Sequence, residues 1–167
     1  MQRDGINYTE TYDPVARYES IKVLLAIAAH KDCEMIQFDI KTAFLYGELD
    51  DIIFMKIPEG LTDLDRTSQV LLLKKALYGL KQALYRWHYR FKRFLEKFGF
   101  KYCESEWCIF VRICDNGLIM YLVIVVDDEI IFCQSIIEIQ KIISALSEEF
   151  KAKISKVTDL YVGMQIV

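Results

Sequence analysis

The sequence predicts an α+β protein in which helices cover one face of an antiparallel sheet. Two stretches carry this prediction. Residues 121–133, YLVIVVDDEIIFC, place short apolar runs on either side of an Asp-Asp pair, which is typical of a β-hairpin with Val126, Asp127 and Asp128 at its tip. Residues 80–98 repeat Leu and aromatic residues at helical spacing, with basic residues on the remaining surface.

The other predicted elements are, in chain order, a helix at 20–29, strands at 34–40, 52–57 and 70–73, strands at 109–113 and 118–126, a helix at 135–150 and a closing strand at 160–167. Ser20 is a residue type that caps helices through its side-chain oxygen, and the pair Asn116-Gly117 is typical of a tight hairpin turn. Residues 41–47 are interpreted as a short helix or turn, and Gly99 ends the long helix.

The composition fits a single folded domain. The chain has 167 residues, of which 53% are hydrophobic, and no linker or repeat marks a boundary, so we interpret 1–167 as one domain. The first residues carry no apolar signal region, and no apolar run reaches membrane-spanning length. We therefore expect an intracellular, cytoplasmic protein that is neither secreted nor inserted in a membrane.

The five cysteines form no Cys-x-x-Cys pair, and their odd number argues against a disulfide framework. We interpret them as thiols of a reducing compartment. The alternative is a zinc site formed by Cys103, Cys108 and Cys114, although their spacing does not match that of a zinc knuckle.

Three aspartates lie in apolar, strand-like surroundings. Asp127 and Asp128 follow the run 121–126, and Asp39 lies in the strand predicted at 34–40. Adjacent aspartates also occur in turns simply because Asp tolerates turn geometry. A third carboxylate on an apolar strand favours a bound cation, since buried acids are costly unless they are paired or bind a metal. Carboxylate oxygens favour Mg²⁺.

The charge distribution is uneven. The net charge is −3 and the pI about 5.5, which does not by itself indicate a nucleic-acid-binding protein. Between Lys74 and Lys101, however, nine residues are Lys or Arg and only Glu96 is acidic. This segment is either a solvated helix surface or a track for a phosphate backbone.

Five segments carry a specific pattern: YTETYDPVAR (8–17), QFDIKTAFLYG (37–47), IFMKIPEGL (53–61), KKALYGLKQA (74–83) and VVDD (125–128). In this order and at these spacings they resemble the reverse transcriptase of copia-type LTR retrotransposons, over nearly the whole chain. An Asp-Asp hairpin alone would be weak evidence, whereas five ordered blocks are specific.

The resemblance implies a right-hand polymerase palm, a ferredoxin-like antiparallel sheet with helices on one face, together with part of the fingers and no thumb. The implied activity is RNA-directed DNA polymerisation by two-metal nucleotidyl transfer. Asp39, Asp127 and Asp128 would be the catalytic carboxylates. With the main chain of Ile40 they would bind two Mg²⁺ ions, for which Mn²⁺ can substitute.

By the same resemblance, the residues that bind the deoxynucleoside triphosphate are Lys41, Thr42, Ala43, Phe44, Tyr78 and Gly79. Phe44 corresponds to an aromatic gate that excludes a 2′-hydroxyl. The residues that contact nucleic acid are Lys81, Gln82, Arg86, Arg90, Lys92, Arg93 and Lys97. Val162, Gly163 and Met164 correspond to a primer grip.

The implied partners are an RNA template, a DNA or tRNA primer, and the RNase H and integrase segments of a longer Pol polyprotein. The resemblance places the protein in a cytoplasmic virus-like particle and includes no membrane partner.

The chain departs from the family pattern at four positions. Val125 stands where the family usually has Tyr, Glu129 replaces an apolar residue, and Leu84-Tyr85 replaces Pro-Arg. Glu129 is expected to crowd the three aspartates with a fourth carboxylate. The family's upstream Lys-Ala-Arg-Leu-Val block, whose basic residues grip the triphosphate, does not precede these segments here.

Two alternatives to an active polymerase remain open at this point. The chain is a catalytically inactive, retrotransposon-derived remnant that at most binds RNA or DNA, or it is a ferredoxin-like RNA-binding module without an active site. The second alternative fits less well, because such modules stack bases on sheet aromatics, and the aromatic residues here lie on a helix.

Overall fold

A computed structural model describes residues 15–61, 68–126, 128–155 and 160–165. They belong to two compact units, of which the first contains Phe44–Arg90 and the second contains residues 15–43 and the described residues from Phe91 onward. The sequence marks no boundary at either junction, and the single-domain interpretation stays a prediction. No helix among the described residues is long and apolar enough to cross a membrane.

The elements in chain order are α1 (Tyr18–His30), β1 (Glu34–Ile40), a 3₁₀ helix (Ala43–Tyr46), β2 (Glu48–Met55), β3 (Leu71–Lys75), α2 (Ala83–Lys97), β4 (Lys101–Cys103), β5 (Glu106–Ile113), β6 (Ile119–Val125), β7 (Asp128–Cys133), α3 (Ile136–Glu149), β8 (Ala152–Ser155), β9 (Leu160–Tyr161) and β10 (Met164–Gln165). This is the predicted α+β class, with an antiparallel sheet and three α-helices among the described residues.

The second unit is built on a six-stranded antiparallel sheet in the order β4-β5-β6-β7-β1-β8. Strands β4 to β7 form a meander of consecutive neighbours. Strand β1 comes from an earlier part of the chain and lies between β7 and β8, so Gln37, Phe38 and Asp39 have a partner on both sides. The sheet therefore brings the strand with Asp39 beside the strand that begins at Asp128.

Helices cover both faces of this sheet. Ile130 and Phe132 of β7 share one face and pack in the same cluster as Ile21 and Leu24 of α1. Ile131 points to the opposite face, where it is fully buried and where α3 contacts β7 and β1. The prediction that helices lie on one face is therefore wrong for α1, whose apolar stripe requires a surface of its own.

The start of α1 also differs from the prediction. The helix begins at Tyr18 with no side-chain cap, and Ser20 lies in its first turn. The Ser20 hydroxyl donates a hydrogen bond to the Glu106 carboxylate on β5 at 3.1 Å, and the Arg17 guanidinium lies 3.8 Å from the same carboxylate. Ser20 was expected to cap the helix, and this is wrong because its oxygen binds the sheet instead.

The aromatic residues of the second half of α2 are core, as predicted. Phe91 and Phe94 are buried, and their ring centroids lie 5.7 and 5.1 Å from that of Phe150. Such contacts lie within the range in which aromatic pairs attract beyond their burial. Gly99 follows the helix at φ +80°, the left-handed conformation in which glycine has no steric penalty.

The end of the chain forms a hairpin and not the single strand predicted at 160–167. Strands β9 and β10 pair across a turn in which Val162 has φ +48° and Gly163 φ +75°. Residues 166–167 lie outside the described residues. Strands β4 and β8 escaped the sequence patterns because three- and four-residue strands are too short to show an alternation.

The first unit contains a two-stranded sheet, β2 with β3, and the first half of α2. Strand β2 begins at Glu48, earlier than predicted, and an irregularity lies between Glu48 and Ile53. Gly47 precedes it, and its carbonyl accepts a hydrogen bond from the Ala76 amide at 2.8 Å. A Cβ at Gly47 would lie only 2.9 Å from the Cβ of Arg86 and 3.1 Å from backbone atoms of α2. Helix and turn therefore approach closely because residue 47 has no side chain.

We expect Gly47→Ala to lower the free energy of unfolding of the first unit by about 1–3 kcal/mol, since α2 backbone atoms cannot yield to the added methyl group. Urea unfolding monitored by circular dichroism measures the change. Val70→Ala is the matched control, because Val70 is exposed in the same unit and its truncation should change stability by less than about 0.5 kcal/mol. Equal stability of Gly47→Ala and the wild type would contradict the close approach.

Candidate active site

Asp39 and Asp128 are direct cross-strand partners on β1 and β7. Opposite residues of an antiparallel pair project from the same face of the sheet, with Cβ atoms about 4.5–5.5 Å apart. Asp39 is half-buried and Asp128 is exposed. Two carboxylates are thus held side by side at one end of the sheet, where they remain accessible to solvent. Asp127 lies outside the described residues.

The turn between β6 and β7 fixes the position of Asp128. Val125 pairs with Asp128, so only two residues form the tip of the hairpin. Val126, the first of them, has φ +62°. Two-residue hairpins favour this left-handed conformation because its twist matches that of the strands, although a β-branched residue adopts it only under strain. The predicted hairpin is therefore confirmed for the strands on either side, with Asp128 in the ladder and Val126 in the turn, and Asp127 lies outside the described residues.

Glu129 does not join the pair of aspartates on their face. It follows Asp128 in β7, so its side chain projects to the opposite face of the sheet, where it is fully buried. Its cross-strand partners are Phe38 on β1 and Ile124 on β6. The expected crowding of the aspartates by a fourth carboxylate is wrong, because strand alternation separates residues 128 and 129.

Tyr161 connects the β9–β10 hairpin to the aspartate strand. Its side chain is fully buried and packs in the same cluster as Ile130, and its hydroxyl lies 3.5 Å from the main-chain carbonyl of Asp128, to which it donates a long hydrogen bond. Burial, followed by the carboxylates of Glu129 and Asp128, raises the pKa of Tyr161 above its ordinary value, so the hydroxyl stays protonated.

The sequence reasoning missed Tyr161, although a Tyr one residue before the predicted primer grip is a signal that would have found it. Of the predicted primer-grip residues, Val162 and Gly163 are exposed at the hairpin turn and Met164 is half-buried. Val162 and Gly163 therefore form the turn, and Tyr161 pairs with Met164 directly beside it.

The segment after β1 carries the predicted nucleotide-binding main chain. Ile40 and Ala43 are buried, whereas Lys41 and Thr42 are exposed. The Lys41 amide donates to the Lys151 carbonyl at 2.9 Å, and Thr42 has φ +57°. The chain thus turns sharply directly after the strand that holds Asp39.

In the first unit, Phe44 and Tyr78 lie in ring contact. Their centroids are 5.7 Å apart at an interplanar angle of 49°. Phe44 is half-buried, and Tyr78 is 89% exposed. Gly79, beside Tyr78, has φ +94°, a conformation that requires glycine in this turn. Two predicted nucleotide-binding side chains are therefore neighbours, although 34 positions separate them in the sequence.

The basic residues do not form one uniform group. Arg86 is largely buried and forms ion pairs with Asp50 and Asp51 of β2, and the Gln82 amide donates to Asp51 at 3.3 Å. Lys92 lies 3.8 Å from Glu96, and its ammonium group lies 3.9 Å from the ring centroid of Tyr102. Lys81, Arg93 and Lys97 are exposed, and Arg90 is half-buried.

No group of three or more His, Cys, Asp or Glu that could hold a metal is found among the described residues, which exclude Asp127. The alternative zinc site fails on distance. Cys108 lies near the start of β5 and Cys114 directly after its end, so six residues of extended chain, or about 20 Å, separate them. The cysteines are free thiols.

We expect Cys103 to be the most reactive thiol. Hydrogen bonding to Ser105, 3.1 Å away, lowers the pKa of Cys103, whereas burial raises the pKa of Cys108 to about 12 and that of Cys114 to about 11. Iodoacetamide at pH 8, followed by peptide mass spectrometry, should modify Cys103 first and the other two only on unfolding. Ser105→Ala should slow the reaction of Cys103, and a faster reaction of Cys108 would contradict the fold.

Comparison with known proteins identifies the family. The reverse transcriptase (RNA-dependent DNA polymerase) family profile matches residues 1–167. The chain is 36% identical over 99% of its length to the retrovirus-related Pol polyprotein from transposon TNT 1-94 of Nicotiana tabacum, and 34% identical over 98% of its length to that from transposon RE2 of Arabidopsis thaliana. It is 29% identical over 92% of its length to the transposon Ty1-H Gag-Pol polyprotein of Saccharomyces cerevisiae.

The chain spans 12%, 11% and 8% of these three relatives, so it corresponds to one segment of much longer polyproteins. No solved structure matches it significantly. The family profile covers every segment on which the resemblance was based, including those with Asp39, Asp127 and Asp128. The chain belongs to the reverse transcriptase (RNA-dependent DNA polymerase) family and is a reverse transcriptase domain of the kind found in copia-type retrotransposon Pol polyproteins.

Proposed function

We propose that this chain carries the polymerase site of a reverse transcriptase, which adds deoxynucleotides to a primer on an RNA template. The observation that carries the proposal is the cross-strand pair of Asp39 and Asp128 at an end of the sheet where both remain accessible to solvent. Strand pairing fixes both carboxylates before substrate arrives, and such preorganisation is what metal-dependent phosphoryl transfer requires.

The donor set fits a hard divalent cation. Asp39 and Asp128 supply carboxylate oxygens at the spacing of cross-strand neighbours, Asp127 is adjacent in sequence, and the main-chain carbonyl of Ile40 follows Asp39 directly. We propose that these four residues hold two Mg²⁺ ions, with Mn²⁺ as a substitute. When bound, such ions activate the primer hydroxyl and neutralise charge on the leaving pyrophosphate.

The neighbouring residues would bind and orient the incoming nucleotide. Lys41 is exposed after β1 and supplies positive charge for a phosphate, and the turn at Thr42 presents main-chain groups to the triphosphate. The ring of Phe44 would pack against the sugar and exclude a 2′-hydroxyl. In this proposal the sheet of the second unit is a polymerase palm and the β2–β3 unit belongs to the fingers.

The exposed basic residues would contact the template and primer backbones, and Val162, Gly163 and Met164 would hold the primer end. Arg86 has a different role in this proposal, because its guanidinium is committed to Asp50 and Asp51. The remaining Pol segments, RNase H and integrase among them, and a cytoplasmic particle are the proposed context, supported by the length of the relatives.

We expect Asp39→Asn to lower Mg²⁺-dependent primer extension on an RNA template by at least about 100-fold, because an amide cannot supply the charge that holds the cation. Asp127→Asn should act in the same way. Asp115→Asn is the matched control, since Asp115 lies in the turn between β5 and β6, and it should extend the primer at the wild-type rate. Extension that survives Asp39→Asn would contradict the assigned site. A folded wild type that does not extend the primer would contradict the proposal and favour an inactive remnant.

We expect Lys97→Ala to weaken binding of an RNA–DNA duplex and to reduce the slope of log affinity against log salt concentration by about 1, as the loss of one phosphate contact does. Arg86→Ala should leave that slope unchanged and lower stability instead, because Arg86 is paired with Asp50 and Asp51. Fluorescence anisotropy at several salt concentrations measures both slopes. Identical slopes for Lys97→Ala and the wild type would remove Lys97 from the interface.

A further inference from the structure

We propose that Tyr78 is a specificity-determining residue that holds the ring of Phe44 in place and thereby sets the discrimination between deoxyribo- and ribonucleotides. The inference rests on the proposed function, because it assigns the sugar of a nucleoside triphosphate as the ligand of this ring pair. It adds to that function a second side chain whose role is to position the first.

The rings of Phe44 and Tyr78 are in direct contact. The two centroids are 5.7 Å apart and the rings are tilted by 49°, within the geometry at which aromatic rings attract each other. Phe44 is half-buried, so part of its ring remains available to a ligand. Because Tyr78 occupies the space on one side of the Phe44 ring, Phe44 has fewer accessible rotamers than it would have without Tyr78.

Backbone hydrogen bonds connect the segment that carries Phe44 with the segment that carries Tyr78. The Gly47 amide donates to the Phe44 carbonyl at 3.0 Å, which closes the 3₁₀ turn, and the Gly47 carbonyl accepts from the Ala76 amide at 2.8 Å. Glu48 and Lys75 then pair where β2 begins and β3 ends. The segments that carry the two rings are therefore hydrogen-bonded to each other within three residues of each ring in sequence.

Tyr78 is exposed to solvent. At 89% exposure, the side chain contributes almost nothing to the core, although tyrosine is a large side chain that usually buries most of its ring. The turn that presents it depends on Gly79 at φ +94° and on the hydrogen bond from the Leu80 amide to the Leu77 carbonyl at 3.1 Å. This turn therefore places an exposed aromatic ring in contact with Phe44.

Selectivity follows from the rigidity of this pair. A 2′-hydroxyl is excluded only if the ring it meets cannot move aside. Removing Tyr78 opens the space into which Phe44 can rotate, so the preference for a deoxyribonucleotide over a ribonucleotide should fall. Removing only the Tyr78 hydroxyl leaves the ring contact, and therefore the selectivity, intact.

The test measures kcat/KM for single additions of dTTP and UTP to a primer on an RNA template, for the wild type and for Tyr78→Ala, Tyr78→Phe and Phe44→Ala. We expect Tyr78→Ala to lower the dTTP-to-UTP ratio by about three- to tenfold, the range that corresponds to an aromatic pair of ordinary strength. Tyr78→Phe should retain the wild-type ratio. Tyr89→Ala is the matched control, because Tyr89 is also exposed and stacks on Tyr85 within α2, and it should leave the ratio unchanged.

A second readout does not depend on turnover. Binding of dTTP and UTP to the complex with a primer that ends in a dideoxynucleotide gives the same ratio from affinities. An unchanged ratio in Tyr78→Ala, or an equal loss for both nucleotides, would overturn the inference while the proposed function stands. A wild type that neither extends the primer nor binds either nucleotide would overturn both proposals.

Discussion

The antiparallel pairing of β1 with β7 is the constraint on which the rest of this structure depends. It joins a strand from the first quarter of the chain to one far along it, and its last registered pair is Asp39 with Asp128. Two carboxylates repel each other, so apolar burial must supply the stabilisation of this end of the sheet. It does so on both faces: α1 packs with Ile130 and Phe132, and Phe38 and Ile131 are buried on the side that α3 covers.

The same pairing explains why a buried acid at Glu129 is compatible with the site. Strand alternation places Glu129 and Asp128 on opposite faces, so one strand carries an accessible carboxylate and a buried one in succession. The buried carboxylate contributes, with burial itself, to the raised pKa of Tyr161. Tyr161 in turn donates to the Asp128 main chain, which links the β9–β10 hairpin to the aspartate strand.

Much of this arrangement could be predicted from the sequence because its signals are local. Alternating apolar runs identified β1, β6 and β7, and helical periodicity identified all three helices. Contacts between distant segments could not be predicted in this way. Ser is a residue type that often caps helices, but Ser20 binds Glu106. Arg is a residue type that often contacts phosphate, but Arg86 binds Asp50 and Asp51. In both cases a partner 35 or more positions away determines the role, and no local pattern records that partner.

The ion pairs of Arg86 also show that the basic residues between Lys74 and Lys101 do not all have the same role. The Arg86 guanidinium is largely buried against β2 and pairs with Asp50 and Asp51. Removing these partners would leave a buried charge unpaired and destabilise the first unit, whereas the loss of an exposed ion pair changes stability little. The proposed function assigns the phosphate backbone to the exposed lysines and arginines, and dissolved salt screens such an attraction. A count of basic residues in the sequence therefore overestimates the surface that the proposed function assigns to nucleic acid. The proposed specificity pair, Phe44 and Tyr78, is neutral and depends on ring contact, so its effect should be insensitive to salt.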